Sequence, residues 1–201
     1  MGYEFTELIR TFLPKYLSPE QKDDLWSELR SFPQIDSYYD DSGDLADSVL
    51  QGDGWRGLIV LDFLTARQKP ISGLVLSNSC DIAPGNRRRL PTNVVFAPML
   101  PLDRYIQNLR AAGQTDHQIT GLVDALRRQE VTTAFFLPGV EGQHPDRIAL
   151  LDDVHSHPLS HFLTVNRSRR FRLSMVAFYV FVMKLSIHFC RFQEGVIRAS
   201  A

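Results

Sequence analysis

Gly73-Leu74-Val75-Leu76-Ser77-Asn78-Ser79-Cys80-Asp81-Ile82 is the stretch on which the fold turns. An apolar, β-type run stops at five consecutive polar residues, Ser77 to Asp81. The pattern predicts a buried strand whose end presents a thiol, a carboxylate, an amide and two hydroxyls together. Binding and catalytic groups are often carried on loops held by a rigid scaffold, so this strand end is the first candidate site.

The neighbouring segments extend the β reading. Gly57 to Phe63 predicts the preceding strand, and Thr65 to Pro70 a short turn with Arg67 and Lys69 exposed. Ile71 to Leu76 is the strand that ends at the polar cluster. Ala83 to Pro91, with Pro84, Gly85, Asn86 and the triplet Arg87-Arg88-Arg89, reads as a loop, and Asn93 to Pro98 as a third strand. Leu102 to Arg128 predicts two helices broken at Gly113, the second capped by Thr115 or Asp116. Strands return at Val131 to Leu137 and Arg147 to Leu151, and a long helix near Leu173 to Phe192 closes the chain.

Before the sheet the pattern is helical. Phe5, Leu8, Ile9, Phe12 and Leu13 recur at helical spacing up to Pro14. Ser18-Pro19-Glu20-Gln21 is a helix start, with Leu25, Trp26 and Leu29 on its apolar face. The acidic run Asp36 to Asp47 reads as a solvated linker, its carboxylates lacking ligand spacing. The expected fold is α+β: a small, strongly twisted sheet curled into a partly closed barrel, with helices at both ends. Residues 1–50 form a helical extension and linker. Residues 51–201 form the barrel domain, with a helical insertion at 102–130 and the closing helix at 173–192.

Composition narrows the function classes. The chain has 201 residues, 44% hydrophobic and 22% charged, which describes a globular domain with a real core. A formal net charge of −1 gives no global reason for nucleic-acid binding, so only local patches support it. The two cysteines, Cys80 and Cys190, lie far apart without CxxC spacing, which suits a reducing cytosol; Cys190 reads as core. The first residues lack a basic region followed by an apolar core, so no secretory signal is expected. Met175 to Met183 is apolar throughout but far short of the ~20 residues of a membrane span, so it predicts a buried helix or one packed on a second subunit.

Three constellations carry candidate chemistry. Cys80 and Asp81 would form a nucleophilic pair if a cation or base stabilised the thiolate, with Arg87, Arg88 and Arg89 or a histidine as the source; the bland alternative is a small buried thiol and a turn-capping carboxylate. The arginine triplet, placed after Ser77, Asn78 and Ser79, suits phosphate contact, and alone reads equally as a solvated loop. His155, His157 and His161, with Asp152 and Asp153, have a spacing in which metal binding is conceivable, but histidines so placed are mostly structural, and no metal or cofactor is expected. A second basic run, Arg167, Arg169, Arg170 and Arg172, admits three readings: neutralising the acidic linker, contacting a phosphate chain, or solvating a loop.

The strand from Gly57 to Phe63, Lys69-Pro70, the strand ending Leu74-Val75-Leu76-Ser77-Asn78 and Val94-Val95-Phe96-Ala97-Pro98 together resemble the opening of the PemK/MazF toxin family, and Asp146 to Val154 is similar to its later "LLDQV" segment. The resemblance spans about residues 52–100 and 145–192. It implies a small SH3-like barrel, usually dimeric, that cleaves RNA without metal by attack of the 2′-hydroxyl. It places Lys69 where the family carries a catalytic arginine and Met99-Leu100 where it carries a threonine, and lysine lacks the planar fork that grips phosphate with two bonds. The centre also resembles uncharacterised bacterial proteins with a "QGD…VISQTCDI…AP" pattern, matched here by Gln51-Gly52-Asp53, Val75 to Ile82 and Ala97-Pro98, with Arg172-Leu173 as a late helix start.

The PemK/MazF resemblance implies a protein of a bacterial toxin–antitoxin or phage-defence system, with RNA, an antitoxin or a defence-system protein as binding partner. The cysteine usage and the short apolar run read as a cytoplasmic protein without membrane association, and a homodimer would cover the apolar closing helix. If catalytic, it is a metal-independent endoribonuclease-like hydrolase or a Cys80-dependent hydrolase, with Cys80, Asp81 and Lys69 reacting and Ser77, Asn78, Ser79, Arg67 and Arg87 to Arg89 binding. The alternative is a non-catalytic module that binds a partner or ligand on the same barrel.

Overall fold

The computed structural model describes residues 18–35, 37–43, 48–62, 64–86 and 89–189. The predicted helix at Phe5 to Leu13, the residues Arg87, Arg88 and Cys190, and parts of the acidic linker lie outside the described residues. The chain divides into two units, residues 1–37 and 38–201.

In the first unit, α1 (Pro19–Arg30) starts as its sequence predicts. Ser18 Oγ accepts the Gln21 N–H at 3.2 Å, and Gln21 Oε1 accepts the Ser18 N–H at 2.9 Å. This reciprocal pair satisfies two helix-end donors, and Pro19 supplies a preset φ at the first position.

The second unit is built on a seven-stranded antiparallel sheet. Its strands are β1 (Gly54–Asp62), β2 (Arg67–Val75), β3 (Asn93–Pro101), β4 (Ala134–Leu137), β5 (Arg147–Leu150), β6 (His155–Pro158) and β7 (Ser168–Phe171). The spatial order is β4-β5-β3-β2-β1-β7, with β6 also paired to β3. β5 and β6 follow one another along β3: Pro101 to Met99 pair with Arg147 to Ala149, and Phe96 to Asn93 pair with His155 to Pro158. Phe96 is thereby paired with His155 of β6 on one side and with Val75 of β2 on the other.

Two apolar clusters follow from this topology. Trp55, Leu58, Val75, Val94, Phe96 and Phe162 form the central core, with Ile82 of the short α2 (Ser79–Ile82) and Leu159 of α5 (Leu159–Thr164). The insertion, α3 (Leu102–Ala111) and α4 (Asp116–Arg127), packs Leu102, Ile119, Val123 and Leu126 against Ala134, Phe136 and Ile148. Its two helices part at Gly113 as expected, and of the two expected caps Thr115 is the one used, in a capping box with Gln118.

The α+β class and the antiparallel sheet match expectation; barrel closure does not. Among the described residues β4 pairs only with β5 and β7 only with β1, so the sheet stays open. Each edge strand has four residues, too few for an extended closing ladder. The segment at Tyr38–Asp40 occupies the gap. The Ser174 N–H donates to the Tyr38 carbonyl and the Asp40 N–H to the Arg172 carbonyl, both at 3.0 Å, beside β7. The Tyr38 and Tyr39 hydroxyls donate to the carbonyls of Phe136 (3.1 Å) and Pro138 (2.7 Å) at the end of β4.

Local boundaries also shift. β1 begins at Gly54 rather than Gly57, and Gly57, at φ +100°, sits at a register shift between Arg56 and Leu58. The hairpin turn is shorter than expected, so Arg67 and Lys69 lie on β2 and not in the turn. His155–Pro158 and Ser168–Phe171, absent from the expected strands, are strands because pairing with β3 and β1 supplies their backbone partners, a tertiary gain that composition does not display.

The closing helix is α6 (Met175–Phe189), and no helix among the described residues is long and apolar enough to cross a membrane. Val176, Ala177, Val180, Phe181 and Lys184 are buried. The Lys184 ammonium donates to the carbonyl of Gln129. Burial pushes its pKa down to about 8. The unfolded chain, with an ordinary lysine, then holds one more proton than the folded chain above pH 8, so folding stability rises as pH rises from 8. The rise ends near pH ~9.5, where the raised pKa values of the buried Tyr38 and Tyr39, each shifted by burial first, begin to favour the unfolded chain. Urea melts from pH 7.5 to 9.5 check this: the slope is positive for the natural chain and flattened in Lys184→Met.

Candidate functional site

The polar cluster at the end of β2 is built into the frame before it is available to anything else. Ser77 Oγ accepts the Val95 N–H at 2.8 Å, and Ser79 Oγ accepts the Gln51 N–H at 2.9 Å. Asn78 Oδ1 accepts the Cys80 N–H at 2.9 Å, which starts α2, and Asn86 Nδ2 donates to the Cys80 carbonyl at 2.8 Å. Three of the five polar side chains thus hold backbone donors that the end of a strand would leave without partners.

Gln51-Gly52-Asp53 is the counterpart of that cluster. Gln51 Nε2 donates to the Leu76 carbonyl at 2.8 Å, and the Gly52 N–H to the Val75 carbonyl at 2.9 Å. Gly52 lies at φ +83°, where a Cβ would meet Leu173 and Phe178 at 3.2 Å, so both its conformation and its space call for glycine. Asp53, 1% exposed, receives two parallel bonds from Arg172: Nε to Oδ1 and Nη2 to Oδ2, each 3.0 Å. It also accepts the Leu50 N–H at 3.1 Å, while Arg172 donates to the Ser48 carbonyl at 3.2 Å. The carboxylate holds the Arg172 guanidinium above its usual range. The start of β1, the end of β2 and the approach to α6 are thereby one polar joint.

In front of this joint lies a cavity of about 740 Å³. Its polar lining residues are Ser77, Asn78, Asp81, Arg89, Thr92 and Asn93; its apolar ones include Leu76, Leu90, Val95, Val154, Leu185 and Phe189. Leu90 is 79% exposed, and Val154 and Phe189 also present apolar surface to solvent. Leu185 and Phe189 come from α6, so the closing helix forms a wall of the site.

Of the residues picked out from sequence, the structure brings Ser77, Asn78, Asp81 and Arg89 to this cavity. Ser79 stands behind it, bonded to Gln51. Cys80 is exposed and is not among the lining residues. Lys69 and Arg67 precede the end of β2 by six and eight residues, roughly 20 and 26 Å along a strand that rises about 3.3 Å per residue. They do not join the site. Met99, at the family's threonine position, is buried.

The histidines separate. His155 Nε2 lies 3.0 Å from Asp153 Oδ1, and its ring stacks on Phe96. His157 is buried, its Nδ1 3.0 Å from the Pro158 carbonyl, and burial lowers its pKa. His161 packs against it with ring centroids 5.0 Å apart. Among the described residues no group of three or more metal-binding side chains converges.

Sequence reasoning assigned no role to Gln51 and Asp53, and it read Arg172 only as part of a basic run or a helix start, although all three stand in the segments that resemble the bacterial group. Their spacing in the chain hides a contact across 119 residues. Val154, in the stretch that resembles the family's later segment, and Leu185 and Phe189, in the expected closing helix, carried no signal for a site, because isolated apolar residues read as core. Comparison with known proteins returned no match: no family model, no curated protein and no solved structure is similar to this chain.

Proposed function

We propose that the protein is a non-catalytic binding module that seats an apolar segment of a partner protein in the cavity between the end of β2 and α6, within a bacterial toxin–antitoxin or phage-defence system. The observation that carries this reading is the cavity's make-up: exposed Leu90, Val154 and Phe189 line it together with Ser77 and Asn78, whose side chains already hold backbone N–H groups. Such a site offers apolar anchoring with a polar rim, the arrangement of a protein-binding surface. RNA cleavage of the PemK/MazF kind has less support, because Lys69 lies remote from the strand end and the threonine position holds a buried methionine. A Cys80-dependent reaction is also less well supported: the exposed Cys80 thiol lies outside the cavity lining, and among the described residues no base or cation bonds to it.

Co-expression with the products of the adjoining genes, followed by affinity purification, tests the proposal. The expected result is one retained partner, its affinity lowered about tenfold or more in Leu90→Asp and unchanged in Cys80→Ala. Leu90 is exposed, so the variant folds normally. Retention indifferent to Leu90→Asp, or cleavage of RNA by the purified protein, contradicts the proposal.

A further inference from the structure

Arg147 opens β5 and Arg170 lies in β7, strands well separated in the order of the sheet. The curl of the sheet and the Tyr38–Asp40 segment bring their surroundings to one seam. Three rings mark it: the Tyr39 centroid is 5.0 Å from that of His144 and 4.9 Å from that of Phe171. His144 precedes Arg147 by three residues, and Phe171 follows Arg170 directly. Arg170 is also the extra residue of a bulge. Gly54 faces Phe171 and Trp55 faces Arg169, which leaves Arg170 outside the register. A bulge of this kind re-aims a side chain out of the strand's alternation.

Among the described residues, neither guanidinium has a hydrogen-bond or ion-pair partner, although Arg147 is half-buried. Burial, and after it the neighbouring charge of Arg170, lower the pKa of Arg147, which agrees with two cations sharing one seam. A nearby carboxylate, Asp146, is already engaged: it accepts the Gly139 N–H at 2.6 Å and an Arg127 N–H at 3.3 Å. Asp40, beside the same segment, accepts the Ser42 N–H at 2.9 Å. A half-buried arginine without a partner, on a seam that also carries a second cation, is relieved by an anion, and the planar fork of a guanidinium fits the oxygens of a phosphate.

We infer that the seam between Arg147 and Arg170 is an anion site that takes a phosphate group, free or carried by a nucleotide. The site is separate from the cavity at the end of β2 and does not depend on that reading.

Thermal unfolding of the full chain tests it, in inorganic phosphate, in adenosine monophosphate, and in chloride at matched ionic strength. The natural chain is expected to gain about 2–4 °C in phosphate over chloride at a few-fold excess over the dissociation constant. Arg147→Met and Arg170→Ala are expected to lose that gain, with Arg147→Met no less stable than the natural chain in chloride. A larger gain with the nucleotide supports a nucleotide ligand, and an equal gain supports a free oxyanion. No phosphate-specific gain in the natural chain, or an undiminished gain in the exposed-site variant Arg170→Ala, overturns the inference.

Discussion

Replacing Asp53 with alanine is expected to lower folding stability by about 3–5 kcal/mol, the usual effect of removing one partner from a buried ion pair. Two parallel bonds to Arg172 are lost, and the Leu50 N–H loses its acceptor. The guanidinium stays behind in a place where it is 9% exposed. For a chain of this size the unfolding midpoint falls by roughly 6–20 °C. The double replacement Asp53→Leu with Arg172→Met removes both charges and is expected to recover much of the loss, because a buried pair contributes far less than its desolvated half costs. Calorimetry on the three proteins checks this. Equal destabilisation by the single and double replacements would mean that the pair is essential in itself.

The second large effect is expected from Phe96→Ala. Phe96 is fully buried, faces Val75 on one side and His155 on the other, and stacks on the His155 ring with centroids 5.8 Å apart. It also fills the space over Gly73, where a Cβ would come within 2.8 Å of its ring. Removing it opens a cavity where β2, β3 and β6 meet and lowers stability by about 3–5 kcal/mol. Urea unfolding monitored by tryptophan fluorescence gives the value. A loss below ~1.5 kcal/mol would show that the three strands do not depend on this ring.

The strands that carry periodic apolar residues were legible in the sequence. Ile71 to Leu76, Asn93 to Pro98 and Arg147 to Leu151 lie within or across β2, β3 and β5, and the Gly113 break with its Thr115 cap separates α3 from α4. β6 and β7 were not legible: His155-Ser156-His157-Pro158 and Ser168-Arg169-Arg170-Phe171 have no strand signature of their own and take their form from β3 and β1. Closure of the sheet failed for a related reason. The sequence pattern counts strands, but not that Tyr38 and Tyr39 would stand between the edges.

The site was half legible. The change from Leu76 to Ser77 marked the right place, yet the polar side chains there act mostly on backbone, which a list of functional groups cannot reveal. Asp53 and Arg172 illustrate the limit: each is an ordinary surface-type residue in sequence, and only the fold turns the two into a buried pair.

Amide hydrogen exchange at Gln51 and Val95 reads whether the polar strand end is part of the frame, since each N–H is held by a serine hydroxyl of that strand end. The account predicts that both exchange as slowly as the central strands in the natural chain, and that Ser79→Ala speeds Gln51 alone while Ser77→Ala speeds Val95 alone. Rapid exchange at both positions in the natural chain would contradict it, because the serines would then be free groups and not part of the frame.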